Sequence, residues 1–383
     1  MTEPLKIEVK PPDIFGIMEG KKVSHVGVYP VDLQWGYKTF VKAVAIGGVE
    51  TKKDYRGRGL ASRLMKKAIE WSKSQGYNVS TVSTSWQNIA RRLYSSQGYV
   101  HLFPLISLRK SLKPKKSRSK KISGIEIRPF KRNDVEGIIE IFNSCFNSYF
   151  GPCRKDASRW LRCREKTLRK DEESIIVALD EEGLRGYAGY FEHWSTIVSE
   201  ICVKPGPRRE ILGRVLLSKL EEHMATLGMR EAIFWPSPMD DFHYHLLLCS
   251  GYRKGPLRTF MLRIINLPSL ISELSHLFRM RLIGARPPMD PYVIYIKAPT
   301  HAACLTIKDE SIGISAEPYE KPNVTIKLTY SALHLMLTGI IGFFEAYLLG
   351  KLNVKPPLKD EVREFLDKLF PEVAWYHPVD DWI

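Results

Sequence analysis

The 383 residues predict an α/β (α+β) protein of three globular stretches, and three observations carry the prediction. Runs rich in Val, Thr and aromatic residues alternate with runs whose apolar residues recur at helical spacing. One order of elements occurs twice: strand, turn, helix closed by a glycine, strand, short helix, then Gly-Tyr. A basic stretch poor in large apolar residues, 108–124, separates the two occurrences. The length itself exceeds what one hydrophobic core supports.

In the first stretch, 1–107, "VSHVGVYPVDLQ", "YKTFVKAVAIGGVET" and "NVSTVST" read as strands. "GLASRLMKKAIEWSKSQG" reads as a helix, with Leu60, Leu64, Ala68 and Trp71 on one face and Gly76 closing it. Only about twenty residues precede the first of these strands. The segment "LRKSLKPKKSRSKKISG" cannot bury a core and reads as an exposed linker. In the second stretch, 125–267, a strand and helix in "IEIRPFKRNDVEGIIEIFNSCF" come first. "SIIVALDEEGLRGYAGYFEHW" gives two strands around a Glu-Gly turn, and "STIVSEICV" a third. The helix "REILGRVLLSKLEEHMATLG", the strand "EAIFWPS" and the helix "FHYHLLLCSGY" complete the repeat. The third stretch, 268–383, has strands in "YVIYIK", "ACLTIKDESIGISAE" and "NVTIKLTY", with helices in "SALHLMLTGIIGFFEAYLLG" and "DEVREFLDKLF".

Composition narrows the function. The 44% hydrophobic and 26% charged content is that of a soluble protein. The net charge of +16 suggests anionic ligands, nucleic acid, an anionic surface or simply a basic protein. The polar, Pro-rich opening "MTEPLKIEVKPPD" is no signal peptide, and a cytoplasmic protein is expected. Six scattered cysteines without a CxxC pair argue against zinc and force no disulfide framework. His243 and His245, two apart, do not share a helix face, so no metal is expected there. The linker lacks the interleaved aromatics that stack bases, which argues against nucleic acid. The apolar stretch 332–350 approaches a bilayer span, but His334, Glu345, Gly339 and Gly342 interrupt it, and no membrane insertion is expected.

The most informative segment is "DYRGRGLASRL", Asp54 to Leu64. A strand leads into Arg56-Gly57-Arg58-Gly59-Leu60-Ala61 and then a helix. The first N–H groups of a helix are unpaired and carry partial positive charge. Glycines let the backbone approach a bulky anion, and the arginines add charge, which suits a pyrophosphate. The turn matches neither the nucleotide P-loop nor the GxGxxG dinucleotide turn.

Arg56, Gly59 and Ala61 resemble the Arg/Gln-x-x-Gly-x-Gly/Ala motif of the GNAT acetyltransferases. Asn88, Ala90, Leu93, Tyr94, Gly98 and Tyr99 resemble the same superfamily's downstream pattern, with Ala90 one place early. Two GNAT-like mixed-sheet domains followed by a sterol carrier protein-like α/β domain, with "WYHPVDDWI" at the end, resemble the Eis-type acetyltransferases along nearly the whole chain. The resemblance implies acetyl-CoA as cosubstrate, held by Arg56, Gly57, Arg58, Gly59, Leu60, Ala61 and Asn88, with Val49 to Thr51 pairing with the pantetheine arm. It implies Tyr94 as the acid for the leaving thiolate, and a tyrosine hydroxyl is chemically suited to that task. It implies the terminal carboxylate of Ile383 as base, with Asp380 and Asp381 as nearby alternatives. Acceptors of this family are amines: lysine side chains, polyamines and aminoglycosides. A homo-oligomer, by resemblance a hexamer, is implied as well.

The second copy's turn, "VKPGPRREILGRV", has lost N–H donors at Pro205 and Pro207 and gained Glu210, so no CoA is expected on it. A rival reading makes the chain a carrier of a hydrophobic ligand, with regulatory acetyltransferase-like domains, on the strength of the apolar 332–350 stretch.

Overall fold

The structure is a computed structural model that describes residues 5–113, 123–193, 196–283, 285–309 and 311–382. The first stretch folds as β1 (Lys6–Lys10), β2 (Asp13–Met18), β3 (Lys21–Gly36), β4 (Thr39–Thr51), α1 (Leu60–Ser74), β5 (Val79–Ser85), α2 (Ala90–Ser96) and β6 (Val100–Ser111). The second contains β7 (Glu126–Pro129), α3 (Val135–Phe146), β8 (Phe150–Cys153), α4 (Ala157–Leu168), β9 (Ile175–Asp180), β10 (Gly183–His193) and β11 (Thr196–Val203). It continues with α5 (Arg209–Thr226), β12 (Glu231–Phe234), α6 (Asp241–Cys249) and β13 (Arg253–Ile264). The third has α7 (Leu267–Glu273), α8 (Ser275–Leu282), β14 (Tyr292–Ala298), β15 (His301–Lys308), β16 (Ser311–Ser315), β17 (Val324–Leu328), α9 (Tyr330–Leu337), α10 (Phe343–Leu348), β18 (Leu352–Lys355) and α11 (Asp360–Leu369).

These elements gather into two compact units, one of residues 1–103 with 259–374, the other of 104–258 with 375–382. In the first unit, β1 to β5 lie side by side in chain order, with β4 and β5 parallel. The apolar face of α1, through Leu64, Met65, Ala68 and Ile69, packs on Ile14, Val26, Val28, Val44 and Ile46 of the sheet. Each of these Leu, Ile, Val and Met side chains contributes about 1.5–3 kcal/mol when fully buried. The N-terminal residues form the β1–β2 hairpin with Pro11 and Pro12 at its turn, where the sequence suggested only a polar opening.

The third stretch builds a second sheet in this unit, ordered β16-β15-β14-β17-β18. "ACLTIKDESIGISAE" reads as one strand but folds as two, because the chain reverses at Asp309, where φ is 46°. The apolar 332–350 stretch is broken into α9 and α10 around Gly339, at φ 72°, and buries Leu333, Met336, Leu337 and Phe343 inside the protein. No helix among the described residues is long and apolar enough to cross a membrane. His334 on α9 is fully buried. Its Nε2 accepts from the Ile264 N–H at 3.0 Å, and its Nδ1 donates to the Tyr330 carbonyl at 2.8 Å. Tyr330 donates to the Gly98 carbonyl at 2.9 Å, and the Trp35 indole donates to the Leu337 carbonyl at 2.7 Å.

The second unit is a sheet ordered β6-β12-β11-β10-β9-β7. β6 pairs with β12 through Leu108 to Ser111, so the strand extends into the segment that composition marks as linker. Backbone pairing with β12 decides this, and composition does not report it. The remainder of that linker reading, 114–122, lies outside the described residues.

Candidate active site

The site begins with a glycine pair in β4. Antiparallel pairing of β3 with β4 shifts register between His25 and Gly27, where Val26 faces both Gly48 and Val49, and Gly48 sits at φ 55°. A bulge bends the strand that carries it. A Cβ on Gly48 would stand 3.2 Å from the His25 ring. On its other edge, β4 pairs with β5 from Ala43 to Ala45, and β4 then runs on to Thr51.

Beyond the bulge, a cavity of about 1000 Å³ opens over the end of β4 and the start of α1. Its wall includes Val49, Thr51, Arg56, Gly57, Gly59, Leu60, Ala61 and Asn88. Gly57 and Gly59 adopt φ 77° and 72°, and a Cβ on either would meet nothing within 4 Å. Gly59 is the N-cap of α1, and no acidic residue occupies the first turn. The first N–H groups of α1 have no helical partner, and Gly59, Leu60, Ala61 and Ser62 line the cavity. This cradle fits a pyrophosphate. Arg56 braces it, its Nε donating to the Thr51 carbonyl at 3.0 Å. Arg58 turns aside: its guanidinium donates to the Asp54 carbonyl at 3.2 Å and lies 5.2 Å from the Tyr55 ring centre. Asn88 accepts from the Ala90 N–H at 2.9 Å, shaping the entry to α2 as well as lining the cavity.

Tyr94 is buried, with only 6% of its surface exposed. It packs in the core with its ring edge-on to Tyr99 at 6.1 Å, one residue beyond Leu93 of the cavity wall. Burial pushes the Tyr99 hydroxyl well above the usual phenol range, and that hydroxyl shares a 2.7 Å hydrogen bond with Ser80. His101 is held at 3.1 Å from the Thr259 hydroxyl, and burial lowers its pKa.

The wall also contains residues that the sequence motifs did not reveal: Phe15, Lys22, His25, Glu50, Lys52 and Arg92. Lys22, Lys52 and Arg92, with Arg56, set four cations against Glu50 and make a surface suited to a polyanion. Lys22 lies 3.5 Å over the Phe15 ring. His25 has an acceptor at each ring nitrogen, Asp13 Oδ1 at 2.7 Å and the Gly48 carbonyl at 2.8 Å. With both ring nitrogens engaged, His25 clamps the bulge.

In the second unit, the turn before α5 is differently built. Arg209 at the start of α5 donates through Nε to the Val203 carbonyl at 3.0 Å, and Glu210 pairs with Arg214 at 2.7 Å. Gly213 permits close packing of α5 and α6, since a Cβ there would stand 2.8 Å from Leu246 and 2.9 Å from Phe242. His243 is buried on α6 while His245 is exposed, as their spacing predicts.

The residues before the C-terminus belong to this second unit. Asp380 is bound by Lys155 at 2.7 Å and Arg164 at 3.3 Å. Asp381 is bound by Arg159 at 3.1 Å and by the Cys153 N–H at 2.8 Å. The adjacent cations Lys155, Arg164 and Arg159 hold the Asp380 carboxyl well below the usual carboxylate range, outweighing its burial. Neither aspartate therefore suits the alternative role of base that the sequence left open, because both are committed to buried ion pairs. Ile383 lies outside the described residues.

Comparison with known proteins agrees with this geometry. The profile of the acetyltransferase (GNAT) family matches residues 8–99 and again 135–243, together more than half of the chain. No curated protein sequence matches the chain. Among solved structures, a GCN5-related N-acetyltransferase from Kribbella flavida has a TM-score of 0.63 at 17% identity, covering 97% of this chain and 87% of its own. A probable N-acyltransferase from Enterococcus faecalis has a TM-score of 0.67 at 14% identity, covering 97% and 88%. Eis1 from Mycobacterium abscessus has a TM-score of 0.59 at 16% identity, covering 96% and 90%. At these identities the likeness concerns the fold. The two family matches fall on the two copies of the strand–turn–helix order, and the chain belongs to the GNAT family of acetyltransferases.

Proposed function

We propose that the chain is an acetyl-CoA-dependent N-acetyltransferase of the Eis type, passing the acetyl group to an amine by direct attack in a ternary complex. The observation that carries this is the cavity at the end of β4, floored by Gly57 and Gly59 at the head of α1. In this reading the unpaired N–H groups of the turn, with Arg56, hold the CoA pyrophosphate. The edge of β4 past the bulge, Val49 to Thr51, pairs with the pantetheine amides. Lys22, Lys52 and Arg92 add charge for the remaining phosphate. The acceptor is a lysine side chain, a polyamine or an aminoglycoside-like amine. Its neutral nitrogen attacks the thioester carbonyl, and the departing sulfur takes a proton from Tyr94. The terminal carboxylate of Ile383 takes the proton that the amine loses.

The second unit, in the same reading, is a structural copy without CoA. The proline-containing turn, Glu210 and the occupied Arg209 side chain support this. The β14–β18 sheet with α9 to α11 is read as the sterol carrier protein-like domain, and the whole as a cytoplasmic homo-oligomer. The test is free-thiol release from acetyl-CoA over a panel of amines, paired with calorimetric titration of CoA. CoA-dependent acetylation of at least one amine is expected. Absence of CoA binding overturns the proposal.

A further inference from the structure

The second unit holds a side-chain cluster that the acetyl-transfer reading does not use. Cys145 on α3, Cys202 on β11 and His243 on α6 bring their sulfur and ring nitrogen atoms within 4.8 Å of one another. Such a trio suggests a metal, but the hydrogen bonds speak against one. His243 Nε2 accepts from the Val203 N–H at 2.9 Å, and its Nδ1 is hydrogen-bonded to the Asp240 carboxylate. The imidazole therefore has no nitrogen left for a cation, nor one to deprotonate a thiol. What remains is two adjacent sulfurs.

The sulfurs differ in a way that orders a reaction. Cys145 is partly exposed, whereas Cys202 is 1% exposed. Arg209 brings Nη2 to 3.9 Å from Cys145 Sγ, and its Nε bond to the Val203 carbonyl fixes it there. A cation beside a half-buried thiol favours the thiolate, the reactive form. The hydrogen bond from the Cys202 thiol does most to lower the Cys145 pKa, against its burial, and the Arg209 charge adds to it. Burial raises the pKa of Cys202, which stays a thiol.

We propose that Cys145 and Cys202 are a redox-active pair that a hydroperoxide closes into a disulfide between α3 and β11. The Cys145 thiolate attacks the terminal peroxide oxygen. The O–O bond breaks, the alkoxide leaves and takes a proton from solvent, and Cys145 becomes a sulfenic acid. The Cys202 sulfur then attacks the Cys145 sulfur. The S–S bond forms, the S–O bond breaks, and water leaves with the hydroxyl and the Cys202 proton. The dithiol loses two electrons and the hydroperoxide gains them. Closing the sulfurs to about 2.05 Å requires side-chain rotation, helped by the position of Cys145 near the end of α3.

The test uses the full-length protein, hydrogen peroxide and a non-reducing peptide map. Oxidised wild type should yield a peptide joining Cys145 to Cys202, reversed by dithiothreitol. In C202S the sulfenic acid has no partner, and dimedone labelling of Cys145 should rise about tenfold over wild type. Exposed Cys249 reports general oxidation in the same sample. The proposal falls if Cys249 is modified while Cys145 and Cys202 stay reduced. It falls equally if Cys145 advances to sulfinate with Cys202 untouched, or if the linked peptides join other cysteines. The wild-type map stands whether or not C202S folds, and none of these outcomes depends on acetyltransferase activity.

Discussion

Gly59→Glu isolates the anion cradle, because α1 supplies its own control. Gly59 before the helix and Gly76 after it have φ of 72° and 78°, and a Cβ at either meets nothing within 4 Å. A side chain in the left-handed region costs about 1–2 kcal/mol at each position, so Gly59→Glu and Gly76→Glu should lower the melting temperature by similar amounts. They differ in what the carboxylate faces. Gly59 lines the cavity and Gly76 does not, so a glutamate at the first site stands near the bound pyrophosphate. At about 6 Å, each pair of unit charges repels by about 0.7 kcal/mol in water and about 3 kcal/mol at an effective dielectric of about 20. Calorimetric titration of CoA should show Gly59→Glu weakened by about tenfold or more and Gly76→Glu within about twofold of wild type. Equal affinities in the two variants would refute the placement of the pyrophosphate on this turn. Gly213→Glu would be a poor control, because a side chain there collides with Leu246 and Phe242.

Tyr94→Phe keeps the packing against Tyr99 and removes only the hydroxyl; kcat should fall about a hundredfold with CoA affinity unchanged, and near-normal kcat would take Tyr94 out of the mechanism. Residues appended after Ile383 should damage turnover far more than Ile383→Val, with CoA binding intact; equal rates for extended and native chains would remove the terminal carboxylate as base. Burial lowers the pKa of His334 from 6.5 to about 4. The unfolded state then takes up a proton below about pH 6.5 that the folded state refuses until about pH 4, so this contribution, about 3 kcal/mol, is present above pH 6.5 and is lost as pH falls through that window. Urea melts at several pH values should show this slope in wild type and a shallower one in His334→Ala. Asp380→Asn leaves Lys155 and Arg164 short of a counter-charge at sites 3% and 2% exposed, and should destabilise the protein by about 3–5 kcal/mol in equilibrium unfolding; a loss under 1 kcal/mol, by that same estimate, would show the network to be well solvated.

Local chemistry writes part of this protein's structure directly into its sequence. The helix from Leu60 announces itself through the period of Leu60, Leu64 and Ala68 and through glycines that both take positive φ. The turn at 56–61 reads as an anion site because glycine conformation and helix-end polarity act over a few residues. The repeat was legible for the same reason, since each copy writes the same local order, and the family matches fall on both.

Tertiary pairing decided the rest. Phe15, Lys22 and His25 enter the cavity wall only because β2 and β3 pair next to β4, and nothing within those segments marks them. Gly48 and Val49 become a bulge only against β3. Asp380 and Asp381 stood as alternative bases by position alone, and ion pairs with residues more than two hundred positions earlier engage both. Cys145 and Cys202, far apart in sequence, become neighbours when α3 packs on β11. Periodicity and turn propensity act between residues close in sequence, whereas strand pairing and burial join residues far apart, so a linear reading shows the elements and only the folded chain shows which side chains share a space.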